Sequence, residues 1–151
     1  MPASLTGVKR SRTVSTAKGD AMTTLDKLCA PGVHAPTGYS QVVKVTGAQA
    51  LLFLAGQLSY GGNGEVMYPG DFTGQARRVF ALVQAHVEAA GGTLASVVKL
   101  TTYVTDIRYR PDFRAVRAEF FGDHGPASTM VQVSALSHPD LLIEVEAIAV
   151  L

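Results

Sequence analysis

Two stretches carry apolar residues at three- and four-residue steps and lie between strand-length segments, and this interleaving most limits the folds open to the chain. The first stretch predicts a helix over residues 72–90, with Phe72, Ala76, Val79, Phe80, Val83, Val87 and Ala90 on one face. Asp71 is placed to cap its start and Gly91 to end it. The second predicts a helix over residues 111–121, with Pro111 in the first turn, Gly122 at the stop, and Phe113, Val116, Phe120 and Phe121 as the apolar stripe. Strand-like segments cover residues 40–45, 51–58, 97–105, 128–135 and 142–150, and the first two are joined by a hairpin-sized loop containing Gly47. The order strand, strand, helix, strand, helix, strand, strand predicts an α+β domain: a mixed sheet with both helices packed on one face. The other face is left uncovered, and its mixture of apolar, small and hydroxyl residues fits an oligomer partner better than water.

The last strand shows what that second face carries. Leu141, Ile143, Val145, Ala147 and Ala149 alternate toward the helices, so Leu142, Glu144, Glu146, Ile148 and Val150 point the other way. Two carboxylates therefore stand on the uncovered face, where contact with another subunit would demand partners for them or raise their pKa values.

With 151 residues and a mass of 15.9 kDa, the chain has room for one domain. Residues 1–28 are rich in Ser, Thr, Ala and Gly and carry a net charge of +3, from five basic residues against Asp20 and Asp26. They read as a flexible extension preceding a domain over residues 29–151, with Met22 as an alternative start and an organelle-targeting role for residues 1–22 as an alternative use. The eight basic and ten acidic residues that follow give the domain a net −2, which offers no electrostatic footprint for nucleic acid. No apolar run is long enough for a membrane helix. Cys29 is the sole cysteine, which excludes an intrachain disulfide and a Cys-based zinc site and suits a reducing, cytoplasmic compartment. The four histidines show no ligand spacing, so no metal site is expected.

Four segments in register carry a family resemblance: Gly38-Tyr39-Ser40-Gln41-Val42-Val43, Leu54-Ala55-Gly56-Gln57-Leu58, the strand-like run from Val97 to Asp106, and Ile143-Glu144-Val145-Glu146-Ala147-Ile148-Ala149-Val150. From about residue 30 to the C-terminus the chain resembles the Rid family of reactive intermediate deaminases, also called YjgF. The resemblance implies a chorismate-mutase-like fold, a homotrimer and clefts at the subunit interfaces. It also implies hydrolysis of unstable enamines and imines, such as 2-aminoacrylate, to a carbonyl compound and ammonia without metal or organic cofactor. Tyr39 matches the family tyrosine beside the ligand, Gly56 the glycine whose backbone approaches it, and Glu144 the glutamate that handles the attacking water.

One position departs from the pattern. Relatives read Pro-Ala-Arg-Ser where this chain reads Pro126-Ala127-Ser128-Thr129, so a serine stands where the family arginine grips the substrate carboxylate. A rotatable hydroxyl replaces a planar, permanently charged fork, removing bidentate carboxylate recognition at a cost of about 1.5–3 kcal/mol of binding. The expected substrate is therefore other than 2-aminoacrylate. Ser128 and Thr129 are candidates to hydrogen-bond a neutral ligand oxygen. Arg108, Arg110, Arg114 and Arg117 cluster around the second helix; the default reading is a solvated face, the sharper one a replacement anion anchor approaching from a different direction.

Other residues have plainer readings. Glu146 is expected at the trimer interface, Lys99 as a strand lysine rather than a Schiff-base nucleophile, and His138 as a solvated loop residue. Three functions fit: an enamine or imine hydrolase acting on a small molecule with Glu144 activating water, a Rid-fold enzyme doing other acid/base chemistry (enolisation, cyclisation or hydrolysis) in a specialised pathway, or a non-catalytic ligand-binding trimer.

Overall fold

The computed structural model describes residues 22–151 and the backbone of residues 11–14. Seven strands and two helices follow one another: β1 (Ser11–Val14), β2 (Thr23–Leu28), β3 (Val42–Thr46), β4 (Leu51–Leu58), α1 (Phe72–Ala89), β5 (Val97–Val104), α2 (Arg110–Phe121), β6 (Ala127–Gln132) and β7 (Ile143–Val150). The main sheet has the order β4-β7-β5-β6. In it β7 runs antiparallel to both β4 and β5, and β5 runs parallel to β6, so the sheet is mixed as expected. The connections β4-α1-β5 and β5-α2-β6 both join parallel strands and step in the same direction across the sheet. Crossovers of a common hand then bring both helices to the same face.

The helix ends follow the expected chemistry. Asp71 caps α1 by accepting a hydrogen bond from the Gly74 amide at 3.0 Å, and Gly91 follows its last turn with a positive φ of 90°. Pro111 lies in the first turn of α2 and Gly122 closes it. Between helices and sheet, Val79, Phe80, Val83, Leu100, Val104, Ile143 and Val145 are fully buried. Phe80 is the hub of the helix pair, with ring centroids 5.5 to 5.7 Å from those of Phe113, Phe120 and Phe121 in tilted or edge-on arrangements.

Two expectations are corrected. The segments at residues 40–45 and 51–58 do not pair as a hairpin: β3 pairs with β2 in a separate three-stranded sheet of order β1-β2-β3, while β4 pairs with β7. The intervening loop is tied instead to the C-terminus, the Gln49 and Ala50 amides both donating to the Leu151 carbonyl. Secondly, the extension read over residues 1–28 contains strand β2, in which Thr23 and Leu25 are almost fully buried. Leu25 joins Val43 and Val45 in packing against Val98, Ile148 and Val150, so β2 closes one end of the sheet's second face. Its short, hydroxyl-rich alternation blends into the surrounding Ser/Thr-rich composition, which is why it read as part of the extension. Residues 1–10 and 15–21 lie outside the described residues.

The remainder of the second face is open, with Leu51 58% and Phe53 74% exposed. Across the core, Gln75 of α1 is fully buried and ties the segment before its own helix to the approach to β7. Its Nε2 donates to the carbonyls of Tyr68 (3.2 Å) and Asp140 (2.7 Å), and its Oε1 accepts from the Leu142 amide (2.8 Å). Gln75→Ala strands a buried amide and two carbonyls and should lower stability by about 3 kcal/mol, measured by urea unfolding; a loss under about 1 kcal/mol would show that these bonds are replaced by water.

Candidate functional site

Sheet alternation divides the residues singled out from the sequence between two faces. Glu144 lies on the open face. It pairs with Leu58, next to a slip in the β4–β7 register: Leu54 pairs with Ala147 and Gln57 with Val145, so Ala55 and Gly56 form a bulge facing the span of Glu146. A Cβ at Gly56 would fall on the Glu144 carboxylate, so only glycine lets that side chain lie across the neighbouring strand. Partial burial there raises the Glu144 pKa above the ordinary carboxylate value, and the nearby charge of Glu146 raises it further. Glu146 accepts a hydrogen bond from the Tyr103 hydroxyl at 3.2 Å. Burial, then the Glu146 charge, raises the pKa of that phenol in turn.

Thr129 shares the open face, where its hydroxyl accepts from Lys99 Nζ at 2.6 Å; Lys99 also donates to the Leu100 carbonyl at 3.1 Å. Burial lowers the Lys99 pKa. Lys99, Glu146, Thr101 and Phe53 border a shallow cavity of about 270 Å³.

Ser128 pairs with the core residue Leu100 and so points to the helix face. There it lines a cavity of about 500 Å³ together with Tyr39, His34, Thr37, Gln41 and the arginines of α2. The cavity wall is fixed by backbone: Ser40 bridges to Ala127, its amide donates to the Pro126 carbonyl at 3.1 Å, and its hydroxyl donates to the Gly125 carbonyl. Tyr39 Oη and His34 Nε2 lie 3.0 Å apart, which holds the phenol at the cavity edge. The structure thus brings Tyr39 together with Ser128, and Gly56 with Glu144, but sets the two pairs on opposite faces of one sheet. Thr129 is separated from Ser128 because adjacent strand residues alternate.

Arg117 was placed by default on a solvated helix face, and it is in fact only 7% exposed. Its guanidinium lies 5.6 Å from the centroid of the Phe113 ring and borders the cavity. The helical spacing contains the signal, since Arg117 is four residues beyond Phe113 and adjacent to Val116 on the apolar stripe. Arg108, by contrast, is exposed and paired with Asp106. Of the remaining histidines, His86 and His138 make local bonds, His86 Nδ1 to the Leu82 carbonyl and His138 Nδ1 accepting from the Asp140 amide, while buried His124 bonds to the distant Val97 carbonyl.

A mixed sheet with two helices on one face and a carboxylate on the other defines an α+β domain whose open face bears ionisable groups. A family model described as Endoribonuclease L-PSP matches residues 30–151. Among curated proteins, a RutC family protein of Pyrococcus horikoshii is 40% identical over 111 residues, spanning 74% of this chain and 85% of its own length. Another, from Pyrococcus abyssi, is 39% identical over 111 residues, spanning 74% and 84%. Among solved structures, the Rid family protein YyfB of Yersinia pestis superposes with a TM-score of 0.74 at 32% identity, covering 83% of this chain and 98% of that one. RidA of a Psychrobacter species gives 0.63 at 33% identity, covering 78% and 92%. The chain belongs to the YjgF/Rid family, and its fold is the chorismate-mutase-like one of that family.

The raised Glu144 pKa has a definite sign in stability. Above the ordinary glutamate pKa of about 4.3, the unfolded chain releases this proton first while the folded one still holds it. The carboxyl's contribution is therefore full at low pH and is lost as pH rises through the raised folded value. Glu144→Gln should gain stability relative to wild type as pH rises above about 4.3, read as the difference in urea midpoints; an unchanged difference would contradict the raised pKa.

Proposed function

We propose that this protein is a Rid-type hydrolase that deaminates a reactive enamine or imine, with Glu144 as the proton carrier. The observation that supports this reading best is the Glu144 carboxylate itself. It is laid against Gly56 at a β-bulge on the open face, and burial and Glu146 both favour its protonated form. A carboxyl whose protonated form is favoured is a better proton acceptor than an ordinary glutamate and can return that proton later in the reaction.

In this mechanism an enamine is first protonated at carbon and gives up a proton from nitrogen, becoming its imine. Glu144 takes a proton from water as the oxygen attacks the C=N carbon, and the proton passes to nitrogen. The carbinolamine then collapses: its hydroxyl proton passes to nitrogen, the C–N bond breaks to release ammonia, and the oxygen remains as the carbonyl. The reaction consumes one water and needs no oxidant or reductant.

Because Ser128 and Glu144 face opposite sides of the sheet, one chain does not complete a site by itself. In a homotrimer, the cleft would pair the Tyr39–Ser128 cavity of one protomer with the Glu144–Gly56 face of its neighbour, and the exposed Leu51 and Phe53 would be covered there. Tyr39 would border the substrate, and Ser128, with backbone amides near Gly56, would steady developing polar atoms. Thr129, bonded to Lys99, would hold the open-face wall. The serine at position 128 directs the site toward a substrate other than 2-aminoacrylate.

Ammonia release should be measured over a panel of enzymatically generated imines for wild type and Glu144→Gln. The expected result is release by wild type and a fall of about a hundredfold or more in the variant. Release equal to background across the panel would overturn the hydrolase reading, and undiminished release by the variant would remove Glu144 from the mechanism. Ser128→Arg should raise kcat/KM for 2-aminoacrylate by about tenfold or more, tested in the same assay.

A further inference from the structure

We infer that the cavity between the 34–41 loop and α2 is an oxyanion site, in which Arg117 grips a carboxylate or phosphate group and Arg110 and Arg114 add charge at its mouth. As an anion site it stands on the cavity's geometry; as the substrate's anchor it rests on the hydrolase reading above.

Arg117 is more than nine-tenths buried, yet among the described residues no carboxylate or carbonyl accepts a hydrogen bond from it. Its one close partner is the face of Phe113, 5.6 Å from guanidinium carbon to ring centroid. The carboxylates that might neutralise it are engaged elsewhere. Glu119, two residues on, is held bidentately by Arg77 at 2.8 Å through both oxygens, and Asp106 is held by Arg108. The Arg117 side chain is mostly out of water while its nitrogens open onto the cavity, so an anion bound there would offset the cost of holding a permanent charge at this position.

The surrounding groups increase that cost. Arg110, Arg114 and Arg117 fall at steps of four and three along α2 and share the cavity wall, a like-charge arrangement that weakens a helix when nothing neutralises it. Burial and the charges of Arg114 and Arg110 all disfavour the charged form of Arg117. No acidic side chain lines the cavity.

The backbone is shaped to expose this cation. Gly38 lies over Arg117 with φ of 72°, and a Cβ there would lie 2.8 Å from Nη2, so glycine both permits the turn and leaves the guanidinium room. Facing it are Tyr39 and the short side chain of Ser128. A volume of about 500 Å³ accommodates a small metabolite. A planar guanidinium matches a carboxylate or phosphate bidentately. The positive charge in this cavity comes from α2, on the wall facing Ser128. A ligand entering the cavity would therefore be turned relative to one gripped from β6.

The test uses the full chain and two probe anions, succinate and inorganic phosphate, titrated against chloride at matched ionic strength. Thermal unfolding and calorimetry are read for wild type, Arg117→Met and Arg117→Lys. Wild type should show a saturable rise in Tm with at least one probe. Arg117→Met should keep the wild-type fold by circular dichroism, equal or exceed wild-type Tm without anion, and weaken anion binding by about ten- to a hundredfold. Arg117→Lys, which keeps charge without the fork, should fall between them. No saturable effect in wild type, or binding undiminished in Arg117→Met, would overturn the anion site. Ammonia assays then separate the two readings: anion binding that depends on Arg117 in a protein releasing no ammonia supports the site and removes the hydrolase. Release with an unchanged KM in Arg117→Met overturns Arg117 as the substrate's anchor.

Discussion

Strand β7 is the constraint on which the rest depends. It lies between β4 and β5, so both of its edges are used by backbone pairing, and its side chains must then satisfy two different environments at alternate positions. Ile143, Val145, Ala147 and Ala149 close the core beneath the helices, which leaves Glu144 and Glu146 no direction but the opposite face. A one-residue slip would bury both carboxylates under Phe80 and its neighbours and expose the core residues. The face that carries the two carboxylates is thus fixed by the same period that fixes the core, and Gln75 anchors the start of that strand from across the core.

Two glycines set how close charged side chains come to backbone, by the same physical means. Gly56 sits in a bulge, where its missing Cβ opens space for the Glu144 carboxylate on an adjacent strand. Gly38 takes a left-handed turn over Arg117 and leaves space for a guanidinium. One charge is a carboxyl pushed toward its neutral form, the other a cation that has no neutral form within reach. The first suits proton transfer, and the second suits holding an anion still. The two lie on opposite sides of one sheet.

Much of this was readable from residue order. Both helices, their caps and their stripes follow from three- and four-residue steps ending in glycine, and β4, β5 and β7 follow from alternation in long apolar segments. Tyr39, Gly56 and Glu144 stood out through family motifs. The hairpin expected around Gly47 failed because a short loop permits pairing without requiring it, and the partner that won, β2, lay in a segment whose composition concealed its alternation. Arg117 was hidden for a different reason: a charged residue on an apolar stripe is ordinarily read as solvated, and only the packing of the 34–41 loop shows what covers it.

By itself the sequence determined both helices, the strands β4, β5 and β7, their facing and the family, because periodicity and local motifs are properties of neighbours along the chain. The tertiary structure decided which residues meet: that Glu144 lies against Gly56, that Ser128 and Thr129 part to opposite faces, and that three arginines of α2 gather around the cavity with Tyr39. Those pairings depend on the bulge in β4, on the order in which strands join the sheet and on how a loop packs over a helix. Each is set by contacts between distant segments, for which local spacing holds no record.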